Sequence, residues 1–273
     1  MHTGGVIVPL TDGEAILRCE TREISILVAR EEITITEARY AAGEQVAGPH
    51  VHHEHTDAFY VLEGELTFEL GREPETLTVS SGGFVAAPPG VAHSFRNDSD
   101  RPARWLTIHA PDGGFAAFMR GAREGVEVEW DISAVPAGGG LPASEAIVSP
   151  DVGGKRRESG NRLCRLRCAL PDLCLVEWHL CGPHPDLPVH DQDQRVDSFF
   201  VIEAELGAML AGRRQTVGPG TTALAPARRA AHAQLLRARA RADAEPPHTR
   251  RRLRRAPPLR LGLNSPRAEP SGR

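Results

Sequence analysis

Lysine is all but missing from this chain: of its 32 basic residues only Lys155 is not arginine. We read that as the coding bias of a GC-rich genome. No run of roughly 18 apolar residues occurs, so no membrane-spanning helix is expected. Met1–Leu10 lacks a basic stretch followed by an apolar core, so no secretory signal is expected either. Cysteine is sparse and odd in number (Cys19, Cys164, Cys168, Cys174, Cys181) and forms no CxxC pair. This argues against a disulfide framework and a zinc knot, and favours reduced thiols on buried strands of a cytoplasmic protein. From residue 224 onward there is no Val, Ile, Phe, Tyr or Trp, and Thr249 is the only Thr, so strands are not expected there. The net charge of −4 is unevenly spread. After Ala233 there are eleven Arg against Asp243, Glu245 and Glu269, a balance of +8, which leaves the body near −12. An acidic body argues against a nucleic-acid-binding core, which needs clustered Lys and Arg.

What is present is β structure from the N-terminus as far as Ala110. Ser25–Ala29, Ile33–Ala41, Phe59–Leu70, Thr76–Val79 and Trp105–Ala110 read as short strands punctuated by Gly and Pro. Gly64 marks a bend within the Phe59–Leu70 run. Such spacing predicts a sandwich or barrel. Phe115–Arg123 reads as a short helix, and Val135–Pro142 as a linker.

The chain also repeats itself, with residue n matching residue n + 140. Ile33-Thr-Ile-Thr-Glu falls on Leu173-Cys-Leu-Val-Glu, His50 on His190, and Asp57-Ala-Phe-Tyr-Val-Leu-Glu-Gly-Glu-Leu on Asp197-Ser-Phe-Phe-Val-Ile-Glu-Ala-Glu-Leu. Gly82 and Pro88 match Gly220 and Pro226 if the second hairpin is two residues shorter. The expected organisation is a first β unit at 1–130, a linker at 131–145, a second and degenerate unit at 146–233, and an Arg/Pro/Ala-rich tail at 234–273. The tail is expected to be disordered or the product of a shifted reading frame, the alternative being a basic tail for acidic partners.

The chemistry-bearing stretch is His50-Val-His-His-Glu-His-Thr-Asp57, with His93 some forty residues on. On a strand, His50 and His52 point to one face. Asp57 begins the next strand, and Pro88-Pro-Gly precedes His93 as a turn that can return the chain to the same place. Three imidazoles and a carboxylate suit one divalent transition metal (Fe, Mn, Ni, Co, Cu or Zn) with coordination positions left open for chemistry. His55 or Glu54 could substitute for Asp57, and otherwise both are solvated loop residues with His53. His109 reads as a satisfied core histidine. Trp105, Trp130 and Trp178 read as packing residues, and His184 and His190 as relics.

These residues resemble the cupin superfamily. His50-x-His52, four residues, Asp57, six residues, Gly64 is similar to its first motif, with Asp in the Glu place and Gly43 one position early. Gly82, Pro88, Gly90, His93 and Asn97 match the second motif at every position. The resemblance implies an all-β double-stranded β-helix (a jelly-roll barrel) in two tandem copies, the second incomplete. It also implies metal ligation by His50, His52, His93 and Asp57, with Asp57 or a neighbouring Glu as candidate base. The flavour around Phe59-Tyr-Val-Leu-Glu-Gly resembles the quercetin-dioxygenase-like cupins. The expected function is a metal-dependent, dioxygenase-like enzyme acting on a small enolic, phenolic or carboxylate substrate, and a homodimer is an expectation from the same resemblance. The alternatives are a metal- or small-molecule-binding sensor or carrier, or an isomerase or decarboxylase. In the second copy Gln192 stands in the second His place, Ala204 replaces the Gly, Arg228 replaces the other Gly, and Ala231 falls where His is expected. That copy is therefore expected to hold no catalytic metal.

Overall fold

The structure is a computed structural model that describes residues 6–149, 155–160, 162–180, 196–210 and 213–225. The expectations for the tail, Cys181, His184 and His190, and for the replacements at Gln192, Arg228 and Ala231, lie outside those residues. Among the described residues no helix is long and apolar enough to cross a membrane.

The first copy and its flanks contribute β1 (Val6–Val8), β2 (Glu14–Arg18), β3 (Arg22–Arg30), β4 (Ile33–Tyr40), β5 (Gln45–Val51), β6 (Thr56–Glu63) and β7 (Glu65–Leu70). They continue with β8 (Glu75–Ser80), β9 (Phe84–Ala87), β10 (His93–Arg96), β11 (Ala103–Ala110), helix α1 (Phe115–Glu124), β12 (Ser133–Ala134) and β13 (Ile147–Ser149). The second copy contributes β14 (Lys155–Ser159), β15 (Arg162–Ala169), β16 (Cys174–Leu180), β17 (Asp197–Phe200), β18 (Leu206–Leu210), β19 (Arg213–Val217) and β20 (Thr222–Ala225). The fold is an all-β double-stranded β-helix. Its first barrel is a seven-stranded sheet, ordered β13-β9-β6-β11-β4-β3-β2, facing a five-stranded sheet, ordered β12-β5-β10-β7-β8.

Alternation along the strands decides which side chains enter the barrel. Phe59 and Val61 of β6, Phe68 and Leu70 of β7, Phe95 of β10 and Trp105 of β11 form the apolar interior. Ala58 and Tyr60, the intervening residues of β6, point outward with Leu106 and Ile108 and pack on Cys168, Leu173 and Leu224 of the second copy. The two faces of β6 are thus both buried, which accounts for its nearly unbroken apolar sequence. Gly64 closes the β6–β7 bend at φ +71°, where a Cβ would stand 2.5 Å from the Pro102 carbonyl oxygen. Only glycine fits there.

Among the described residues the second copy follows the first element by element. The sequence offset carries β2, β3, β4, β6 and β7 onto β14, β15, β16, β17 and β18, and after the two-residue deletion β8 and β9 fall on β19 and β20. The counterparts of β5, β10 and β11 fall on residues outside the described ones. The copies exchange their leading strands. Strand β13, just ahead of the second copy, pairs with β9 of the first through Ile147↔Ala86, Val148↔Val85 and Ser149↔Phe84. Strand β1, just ahead of the first copy, pairs with β20 of the second through Val6↔Leu224, Ile7↔Ala223 and Val8↔Thr222. Both pairings are antiparallel and three residues long, so the exchange is reciprocal. Polar contacts add to it: Thr56 donates through its hydroxyl to Asp172 at 2.7 Å, and Arg167 donates to the Gly82 carbonyl.

Two expectations about packing fail. Trp178, expected to pack, is 45% exposed on β16. Of the four cysteines described, only Cys168 is buried, and burial pushes its thiol up to about 11. Cys19 and Cys174 are exposed, because Cys19 lies beyond β2 and Cys174 opens β16 at its solvent end.

Candidate metal centre

Strand pairing assembles the site. His93 of β10 is the cross-strand partner of His50 of β5, and His109 of β11 is the partner of Asp57 of β6. Directly paired residues share a face with their Cβ atoms about 5 Å apart. His52 follows β5 two residues beyond His50 and so shares its face. The predicted quartet His50, His52, Asp57 and His93 therefore meets in the barrel, with one donor atom of each lying within 4.8 Å of the others. His50 and His93 have ring centroids 4.2 Å apart, and His50 and His52 4.9 Å. The Nε2 of His93 stands 3.3 Å, and that of His52 3.7 Å, from Oδ2 of Asp57. All four are buried, His50 least so at 8% exposed.

The backbone sets the tautomer of each imidazole. Nδ1 of His50 faces the Gly48 carbonyl at 2.8 Å, Nδ1 of His93 faces the Val91 carbonyl at 3.1 Å, and Nδ1 of His52 faces the Asp131 carbonyl. A carbonyl oxygen only accepts, so each Nδ1 carries a proton and each Nε2 is turned to the interior, that of His52 without a hydrogen-bond partner and that of His93 within hydrogen-bond distance of Asp57 Oδ2. This is how protein metal sites orient ligating histidines. Burial, aided by His93, lowers the pKa of His50 to about 4, so the ring is neutral near pH 7. Burial alone would raise the Asp57 carboxyl, but the imidazoles of His109, His52 and His93 hold it well below the usual carboxylate range. His52 Nε2 and Asp57 Oδ1 are buried without a hydrogen-bond partner. A buried hollow walled by lone pairs and a carboxylate lacks only a cation at its centre, so these residues fit a divalent metal.

Two histidines depart from the sequence expectation. His55, expected in solvent or in place of Asp57, is fully buried, and its Nδ1 donates to Oδ2 of Asp131 at 2.8 Å. It does not replace Asp57. Instead the Asp131 carboxylate draws the loop inward, accepting also from the backbone N–H of His53 at 2.9 Å and of Glu54 at 2.7 Å. His109, expected to be a satisfied core residue, has neither ring nitrogen partnered, and burial lowers its pKa to about 3. Its ring stacks on Phe115 of α1 at 3.7 Å. Trp130, half-buried, lies 5.0 Å from His52 and 5.0 Å from Phe118, so it roofs the site rather than merely filling the core. Sequence reasoning misses Asp131, because it lies far beyond His52 along the chain, in a segment without motif. The only signal is an Asp beside an aromatic after the helix. Asn97, the last residue of the second motif, is structural: its side chain donates to the Ala41 and Arg101 carbonyls.

A double-stranded β-helix with three inward histidines and a carboxylate on the strands of one barrel defines the class. Residues 36–109 match the Cupin_2 model, a cupin domain, and the chain carries a cupin domain there. Solved structures agree on the fold. A putative glyoxylate-induced protein from Pseudomonas aeruginosa is similar at 16% identity, covering 86% of this chain and 85% of that one, with a TM-score of 0.57. Oxalate decarboxylase of Lactobacillus farciminis, solved as a formate complex, is 10% identical over 87% and 84%, with a TM-score of 0.55. A cupin 2 conserved barrel protein from Leptotrichia buccalis is 12% identical over 82% and 88%, with a TM-score of 0.50. No curated protein matches the chain.

Proposed function

We propose that the first barrel is a divalent transition-metal centre of an oxygenase-type enzyme that acts on a small organic molecule bearing an enol, phenol or carboxylate oxygen. One observation carries this reading: the buried imidazoles of His50, His52 and His93 each have Nδ1 tied to a backbone carbonyl and Nε2 turned to the interior beside Asp57. A metal held there supplies Lewis acidity, and redox chemistry where the ion is iron, manganese, nickel, cobalt or copper. The chain supplies the rest. Asp57 gives a fixed negative charge and a candidate proton acceptor at Oδ1. Phe59 and Phe95 form an apolar floor that keeps water from beneath the histidines, and Phe115 and Trp130 roof the other side. His50, at 8% exposed the least buried of the quartet, marks the side of the donor set nearest to solvent.

The test has two stages. The protein is reconstituted anaerobically with each candidate metal and analysed for bound metal beside His50→Ala/His52→Ala. Metal in the wild type and none in the double variant is the expected result, and none in either overturns the reading. The loaded protein is then given O₂ and a panel of enols, phenols and small carboxylic acids. Oxygen uptake coupled to substrate loss supports the oxygenase reading. Release of CO₂ without oxygen uptake replaces it with a decarboxylase, the activity named for structural neighbours of this fold. Metal binding without turnover of any panel member replaces it with a binding module.

A further inference from the structure

His55 and His109 are both fully buried, and the quartet does not use them. Together with His52 they form a second constellation whose donor atoms all lie within 4.8 Å of one another. Nε2 of His52, Nε2 of His55 and both nitrogens of His109 have no hydrogen-bond partner. The Nδ1 protons of His52 and His55 are already committed to Asp131, through its backbone carbonyl and its carboxylate respectively. The trio thus faces inward with lone pairs, and beyond the two Nδ1 protons committed to Asp131 it carries only the one proton of a neutral His109. On its open side stands Oδ1 of Asp57, also unpartnered, 3.6 Å from Nε2 of His109. Oδ2 of the same carboxylate faces His93 and His52.

From this geometry we propose that the barrel holds a second divalent cation, bound by His52, His55 and His109, beside one bound by His50, His93 and Asp57. The proposal rests on the metal reading above and extends it. Each donor residue is then used once, for His52 has one free lone pair and can serve only one ion at a time. Each ion receives three protein ligands, the number that leaves positions open for water or substrate. Asp57 lies between them with one oxygen toward each set. Asp131 stands behind His55 as a charge that offsets part of the second ion. A set of three imidazoles selects zinc, copper, nickel or cobalt over magnesium or calcium.

Cobalt(II) tests this directly, since its visible absorption reports coordination and native mass spectrometry counts the ions. The full-length protein is compared with His109→Phe, which keeps the stacking on Phe115, with His55→Asn, which keeps an N–H donor toward Asp131, and with His50→Ala/His93→Ala. Two ions in the wild type and one in each variant is the expected result. A single ion in the wild type overturns the proposal. If that ion persists in His109→Phe and His55→Asn and is lost from His50→Ala/His93→Ala, the single-metal centre stands alone. If it is lost from the first two and kept in the third, one ion sits in the histidine trio instead. No cobalt in any form overturns both readings. Circular dichroism checks folding, and should His109→Phe fail to fold, His55→Asn decides.

Discussion

Replacing Asp131 by Ala tests whether one remote carboxylate holds the loop beside the histidine cluster in shape. Its carboxylate accepts from His53 N–H, Glu54 N–H and His55 Nδ1–H. The two amides lie on exposed residues and regain water when the carboxylate is lost, so each is worth a net of about 1 kcal/mol. The His55 nitrogen is fully buried and has no water to turn to, so it incurs a desolvation cost of about 1–3 kcal/mol. The total is roughly 3–5 kcal/mol, a large share of the stability of an ordinary domain. Asp131→Asn keeps one acceptor oxygen, but turns an N–H group toward a donor, and lands between. Because the backbone carbonyl that orients His52 stays in place, the ligand itself survives while the loop beside it loosens. Loss of such a supporting partner lowers metal affinity about 10–100-fold. Urea denaturation measures the first quantity and competition with a chelating dye the second. An Asp131→Ala protein as stable as wild type to within about 0.5 kcal/mol, the range of an inconsequential surface change, with unchanged metal affinity, would refute this account of the loop.

Three further outcomes are expected. Gly113 has φ +60°, and a Cβ there would stand 2.5 Å from Nδ1 of His55, so Gly113→Ala drives that ring from Asp131 and lowers the thermal midpoint; an unchanged midpoint and an unchanged His55 NMR signal would contradict this. Ala204, in the place of Gly64, has φ +61°, so Ala204→Gly relieves a left-handed strain of about 1 kcal/mol and raises the denaturation midpoint, whereas a drop would mean the turn tolerates alanine. The metal-free protein loses stability as pH falls below about 6.5, because burial lowers the pKa of His50 to about 4 and of His109 to about 3. The unfolded chain then binds protons that the folded state refuses, at about 1.4 kcal/mol per pH unit for each group, continuing to about pH 4 and pH 3 respectively. His52, whose folded pKa is raised, works in the opposite sense and offsets part of this loss. Equal urea midpoints at pH 7 and pH 5 would contradict the net sign.

Much of the framework is legible because strand periodicity is local. Ile33–Ala41 appears as β4, Phe59–Leu70 as β6 and β7 about the bend at Gly64, Thr76–Val79 within β8, and Phe115–Arg123 as α1 with one residue more. The repeat is legible for the same reason, since the offset and the two-residue deletion fall where β8, β9, β19 and β20 place them. The strand exchange is not, because β1 and β13 are three residues each and carry no pattern of their own. Only Val6-Ile-Val-Pro beside Ile147-Val-Ser-Pro hints at it. Of the site, spacing alone brings His50, His52, Asp57 and His93 to one place. The burial of His55 depends on Asp131, and the unpartnered nitrogens of His109 depend on the register of β11 against β6. Both are pairings between distant segments, and no local pattern encodes either.

The two faces of β6 explain why a second copy that has lost its motif still follows the first in its described strands. Asp57 and Phe59 look into the barrel, toward the histidines and the aromatic floor. Ala58 and Tyr60, one residue along, look toward Cys168, Leu173 and Leu224. A candidate ligand at the start of a strand is held only as firmly as the strand, and a strand covered on both faces cannot slip by one residue without driving Asp57 out of the site. The positions that pack against β6 come from β15, β20 and the turn before β16, elements that the second copy keeps. The positions where its sequence departs, Gln192 for a histidine and Arg228 for a glycine, are those a metal site needs and a packing partner does not. Loss of one motif and retention of one interface are therefore what is expected of a copy that supports the first barrel's centre without building a second.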